Sequence, residues 1–127
     1  SQEVTAKPPV TLWMSQGMEK TFDLSVDQPA AVRIDVAVQP PFLPLEISLR
    51  RKRASGKLEP PIAQAEWTEA RLLLMQNDLP VGSYVVEFKQ PRKYALQPGA
   101  PFDDDAVANL CAHLTIHAEV GIASKDA

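Results

Sequence analysis

The chain of 127 residues has one cysteine, Cys111, and only five glycines. A single thiol excludes an intrachain disulfide framework. It fits a reducing compartment or a buried thiol, or a segment whose partner cysteine lies elsewhere in a longer chain. Five scattered glycines form no phosphate-cradling loop. Aromatic residues are few, at 6%, and none interleaves with the basic residues to offer bases a stacking platform. Positive charge is not in excess: the net charge is −3, which leaves no electrostatic footprint for nucleic acid or anionic lipid. No apolar run approaches the roughly 18 residues of a membrane span, and no secretory-signal pattern opens the sequence. There is no Asn-x-Ser/Thr acceptor, since Asn77 precedes Asp78-Leu79 and Asn109 precedes Leu110-Cys111. Ser83, in Val81-Gly82-Ser83-Tyr84-Val85, lacks the second glycine of a nucleophile elbow.

What is present is proline, twelve residues of it, and short alternating apolar segments. Proline breaks helix interiors, which disfavours a bundle of long helices. Leu, Ile, Val and Phe make up about a quarter of the chain, above the roughly one-fifth below which disorder is expected. Val10, Leu12 and Met14 alternate with Thr11 and Trp13, and Met18, Phe22, Leu24 and Val26 alternate with polar residues. In Ala31–Val38 the β-branched residues Val32, Ile34, Val36 and Val38 all fall on one face, the clearest strand pattern in the chain. Leu45, Ile47 and Leu49 repeat the alternation, as do Tyr84, Val86 and Phe88. The last such series is Ala112, Leu114, Ile116, Ala118 and Val120, preceded by a short turn of helix from Asp103–Asp105. The run Leu72-Leu73-Leu74-Met75 reads as a buried strand or as one or two turns of helix, with strand favoured. Strands with one polar face, separated by turn residues, point to an antiparallel sandwich.

Candidate site residues are sparse. Trp13 opposes the apolar face of its own strand, so an exposed indole there would stack on a sugar or anchor a protein partner. Trp67 and Tyr94 are the other aromatic candidates. Arg50, Arg51 and Arg53, with Lys52, form the one concentrated basic run, to be read as an anion-binding patch, a processing site or a solubilising loop. Cys111, His113 and His117 share one side of a strand. Residues two apart stand about 7 Å apart, so Cys111 and His113 reach one zinc ion only with a third ligand that the sequence does not name. Asp103-Asp104-Asp105 is a solvated or capping run rather than a calcium site, because adjacent aspartates rarely converge on one point.

The segments Thr21–Val26, Ala31–Val36, Pro44–Arg50, Leu79–Phe88 and Leu114–Ala118 together resemble the prepeptidase C-terminal domain, a β-sandwich appended to exported proteins. The turn Pro80-Val81-Gly82-Ser83-Tyr84 before a strand carries the most specific part of the likeness. Such domains often have an aspartate-rich stretch before the central strand. This chain has Glu46 alone there, so the associated calcium site is not carried over. The resemblance implies an extracytoplasmic, non-catalytic accessory domain.

The expectation is therefore one all-β domain over residues 1–127, an antiparallel jelly-roll-like sandwich of about seven to eight strands with at most a short helical turn. It belongs to a longer or processed parent and has mobile loops near 51–66 and 90–105. The expected function is a non-catalytic protein-interaction or assembly module of a secreted or extracytoplasmic protein, its partner another protein or its own parent chain. A carbohydrate-binding module using exposed aromatics is the alternative. A protease-associated or inhibitor-like domain inserting the 90–105 loop into a cleft is the next. No catalytic residue, cofactor, metal, nucleic acid or membrane span is expected.

Overall fold

A computed structural model of the chain describes residues 4–6, 10–15, 17–40, 43–90 and 111–122. Ten strands follow one another: β1 (Val4–Ala6), β2 (Val10–Ser15), β3 (Glu19–Val26), β4 (Ala30–Gln39), β5 (Glu46–Lys52), β6 (Leu58–Gln64), β7 (Glu66–Thr68), β8 (Arg71–Leu79), β9 (Gly82–Lys89) and β10 (Cys111–Ile122). They build two antiparallel sheets. In the larger, β1 and β2 lie along one edge of β10, followed by β4, β8 and β7. The smaller runs β3, β9, β5, β6.

The pairings are nested. β5 pairs with β6, β4 with β8, β3 with β9 and β2 with β10. The chain is thus one long antiparallel ribbon, folded so that β10 also meets β4 and β9 also meets β5. That is the jelly roll expected from the strand pattern. Its core lies between the sheets. Val32, Ile34, Val36 and Val38 of the central strand β4 are all buried, facing Leu72 and Leu74 of β8, Leu114 and Ile116 of β10, and Ile47, Leu49, Tyr84 and Phe88 of the other sheet.

Three expectations change. The stretch 51–66 is not a loop. Residues 58–64 form edge strand β6, and only a tight turn at Arg53–Lys57 separates it from β5. In that turn Gly56 N–H donates to the Arg53 carbonyl at 2.8 Å, and Gly56 takes φ +91°, where a side chain would strain. Pro60 and Pro61 suggested loop, but a sheet edge tolerates residues that cannot donate to a ladder. The pairing with β5 shifts register around Arg50. Second, the strand count exceeds seven or eight, because β6 and the three-residue β1 and β7 add to the alternating segments. Third, Leu72–Met75 is strand, as favoured, but its continuous apolar character is not continuous burial. Leu72 and Leu74 are buried, whereas Met75 is 51% exposed. The 90–105 loop beyond Gln90, and the turn of helix expected from Asp103–Asp105, lie outside the described residues.

The turn Pro80-Val81-Gly82-Ser83-Tyr84 has a structural reason. Tyr84 is buried, and its hydroxyl donates to the Pro80 carbonyl at 2.5 Å, tying the start of β9 to the end of β8. Gly82 takes φ +157°, and a Cβ there would stand 3.0 Å from the Arg51 guanidinium. Tyr84→Phe is expected to lose about 1–2 kcal/mol by leaving that carbonyl without its donor. In urea unfolding the midpoint should fall with the slope unchanged.

Candidate functional site

On the outer face of the larger sheet, alternation sends Thr11, Trp13 and Ser15 of β2 outward beside Cys111, His113, Thr115, His117 and Glu119 of β10. Trp13 stands directly opposite His113. Their ring centroids are 4.5 Å apart at an interplanar angle of 38°, and Trp13 is 63% exposed. Exposed Gln39 of β4 flanks His113 on its other side. The result is an amphipathic row across the sheet: a solvent-facing indole braced on a half-buried imidazole, with amide and hydroxyl groups alongside.

Further along the same face, Arg33, Asp35, Arg71, His117 and Glu119 line a shallow cavity of about 190 Å³. Asp35 takes most of its positive charge: Arg71 Nε donates to its Oδ1 at 2.8 Å, and an Arg33 nitrogen lies 3.9 Å from Oδ2. Cys111 is exposed. Among the described residues, no three His, Cys, Asp or Glu side chains gather closely enough to hold a metal ion.

The other candidates do not join Trp13. Trp67 sits on β7, at the opposite edge of the sheet, and faces inward opposite Leu72. It is half-buried against the core. Tyr94 lies outside the described residues. A three-aromatic platform is therefore not assembled here; alternation alone does not tell which sheet edge a strand occupies.

The basic run is also split. Arg50 points outward from the smaller sheet, donating to the Glu59 carbonyl at 2.8 Å and pairing with Glu87 at 3.4 Å. Arg51 turns to the other face, its guanidinium carbon 5.7 Å from the Tyr84 ring centroid. Arg53 pairs with Glu59 at 3.5 Å. Each cation is engaged within the domain, and Arg50–Lys52 lie in a strand paired on both sides.

Arg50 and Trp67 do line one cavity of about 830 Å³, at the corner where the chain leaves the smaller sheet through Ala65. Ser83 belongs to β9, so it faces outward from the smaller sheet, while His113 and His117 face outward from the larger. A Ser83–His pairing would have to cross the sandwich. Gln90, which alternation did not single out, is 2% exposed, and its side-chain amide has no hydrogen-bond partner among the described residues.

No protein family matches the chain, and no curated protein matches its sequence. Among solved structures, a crystal structure of a protein from Sulfurospirillum deleyianum is similar at 7% identity and a TM-score of 0.44, covering 88% of this chain and 98% of that one. At that level the likeness bears on neither function nor mechanism. Among the described residues no helix is long and apolar enough to cross a membrane.

Proposed function

We propose that the domain is a non-catalytic protein-interaction or assembly module of a secreted or extracytoplasmic protein, meeting another protein or its own parent chain through the outer face of the larger sheet. One observation carries the reading: Trp13, 63% exposed and braced on His113. The indole packs on His113 but leaves most of its surface to solvent, outside the core, and tryptophan is among the residues that dominate binding energy at protein interfaces. The resemblance to prepeptidase C-terminal domains agrees with an accessory role.

The test compares the domain and its Trp13→Ala variant as bait in a pull-down from the native source. Truncating an interface anchor should cost at least about 2 kcal/mol, or roughly thirtyfold in affinity. Stability should fall by no more than about 1.5 kcal/mol, because the ring contact with His113 and the covered third of the indole are lost while the core is untouched. Recovery of the same proteins by both baits sinks the Trp13 reading.

Carbohydrate binding is the second reading, favoured by the polar groups of Gln39, Thr11 and Thr115 around the indole. A glycan array with the same two proteins separates them: Trp13-dependent binding of a sugar replaces the protein partner. Turnover by the isolated domain that His113→Ala abolishes would overturn both.

A further inference from the structure

Among the described residues, β3 is an edge strand of the smaller sheet: it pairs only with β9, and six of its eight residues are exposed. The other edge of that sheet, β6, carries Pro60 and Pro61 and a broken register, devices that discourage strand addition. β3 has no proline and no register break, its pairing with β9 being continuous from Glu19 to Val26, and Lys20 is the single charge on its core-facing side that would work against an added strand.

The direction of its free hydrogen-bonding groups follows from the register. Gln90 N–H donates to the Met18 carbonyl at 2.9 Å. Met18 is the next position opposite Gln90 in the β3–β9 register. In an antiparallel pair, hydrogen-bonded positions alternate. Lys20, Phe22 and Leu24 therefore turn their main-chain groups to β9, and Thr21 and Asp23 turn theirs to the open side.

Among the described residues, the core beside this edge is open. Lys20, Phe22 and Leu24 lie on the core-facing side, opposite Phe88, Val86 and Tyr84. Yet Phe22 is 40% exposed, and across from it Val10 is 51% exposed. Between them lies an apolar cavity of about 250 Å³ whose walls include Leu24, Ile34, Ile116 and Val120. On the outward side, β3 presents Glu19 and Asp23, whose side chains are 63% and 80% exposed. Their nearest cations are only 3.8 Å ion partners: Lys89, itself shared with Glu87, and Lys52.

We propose that the free edge of β3 is a strand-addition site for an extended segment of a partner protein, with apolar side chains at alternate positions filling the cavity beside Phe22 and lysine or arginine between them opposite Glu19 and Asp23. The main-chain groups of Thr21 and Asp23 specify an extended strand, the cavity specifies every second side chain, and the acidic pair specifies the others. The site is on the opposite sheet from Trp13 and does not depend on that surface.

The test uses a short synthetic peptide alternating lysine and valine, titrated against the full chain, with a glutamate–valine peptide as the charge-reversed probe. Binding of the lysine peptide should slow amide exchange at Thr21 and Asp23 more than at Lys20 and Phe22, whose N–H groups already face β9. Thr21→Pro removes a donor that points away from β9, so an edge strand should keep its fold, as circular dichroism would show. It should weaken the peptide roughly tenfold, while Trp13→Ala leaves it unchanged. Equal affinity for the two peptides, or binding indifferent to Thr21→Pro with the fold intact, overturns the proposal. So does a concentration-dependent dimer that Thr21→Pro dissolves and the lysine peptide does not compete with, which would make the occupant a second copy of this chain.

Discussion

Phe88→Ala should cost about 3–5 kcal/mol, the range for deleting a fully buried aromatic ring. Phe88 is 1% exposed, at the middle of the smaller sheet, flanked by Lys20 on β3 and Ile47 on β5. Its ring meets Phe22 edge-on, centroids 5.5 Å apart. A domain of this size has roughly 5–15 kcal/mol of stability in all, so the variant should be close to unfolding at room temperature. Phe22→Ala removes the same atoms from the other ring of the pair, but that ring is 40% exposed at the mouth of the cavity. Its loss should stay below about 2 kcal/mol. Urea unfolding of the two variants measures the difference directly. Equal costs would mean that the edge beside β3 is as tightly closed as the centre of the sheet.

Val36→Asp should abolish folding, whereas Ala37→Asp should cost less than about 1 kcal/mol. Val36 is fully buried on the central strand, between Leu72 and Ile116 on its two neighbours. A carboxylate there has no cation within reach and must be buried unpaired or expel the strand from the core. One residue on, the side chain points to the other face. Ala37 stands opposite Arg71 and Thr115 there, so the new carboxylate meets a guanidinium and water. Aspartate is a poor strand former, which sets the small remaining cost. Far-ultraviolet circular dichroism and a thermal melt of both variants suffice. A folded Val36→Asp protein would mean that the register of β4 has slipped by one residue, exchanging its faces.

The central strand was legible because its signal is local. Val32, Ile34, Val36 and Val38 each report the same buried face, and a period of two has no other physical origin in so short a run. β10 was legible for the same reason, and so was the outward direction of Trp13 and His113. β6 was not: Leu58–Gln64 has no alternation, and its two prolines carry the composition of a loop. A proline marks loop or sheet edge equally, and only the neighbouring strand decides which.

The apolar faces of β2 and β3 were read correctly as facing inward, but alternation could not tell that Val10 and Phe22 remain half open. Inward direction is a property of one strand; burial needs a second sheet to cover it. The candidate residues failed to gather for a related reason. Arg50, Arg51 and Arg53 are close in sequence, yet a strand sends neighbours to opposite faces and a turn sends the third away. Trp13 points outward and Trp67 inward, from opposite edges of one sheet.

By itself, then, the sequence determined that the chain is all-β, which side chains of most strands face the core, and the turns at Asp27–Pro29 and Leu79–Gly82, but not the tight turn at Arg53–Lys57. These depend on interactions between residues a few positions apart. Tertiary structure alone decided the order of the strands, the pairing of Val10 with Ile116 and of Glu19 with Lys89, and the placing of Trp13 beside His113. Pairing strands so distant in the chain is settled by how all the buried faces fit together between two sheets. Outward-facing residues contribute little to that fit, so the surfaces where function resides are the part of the fold that local pattern specifies least.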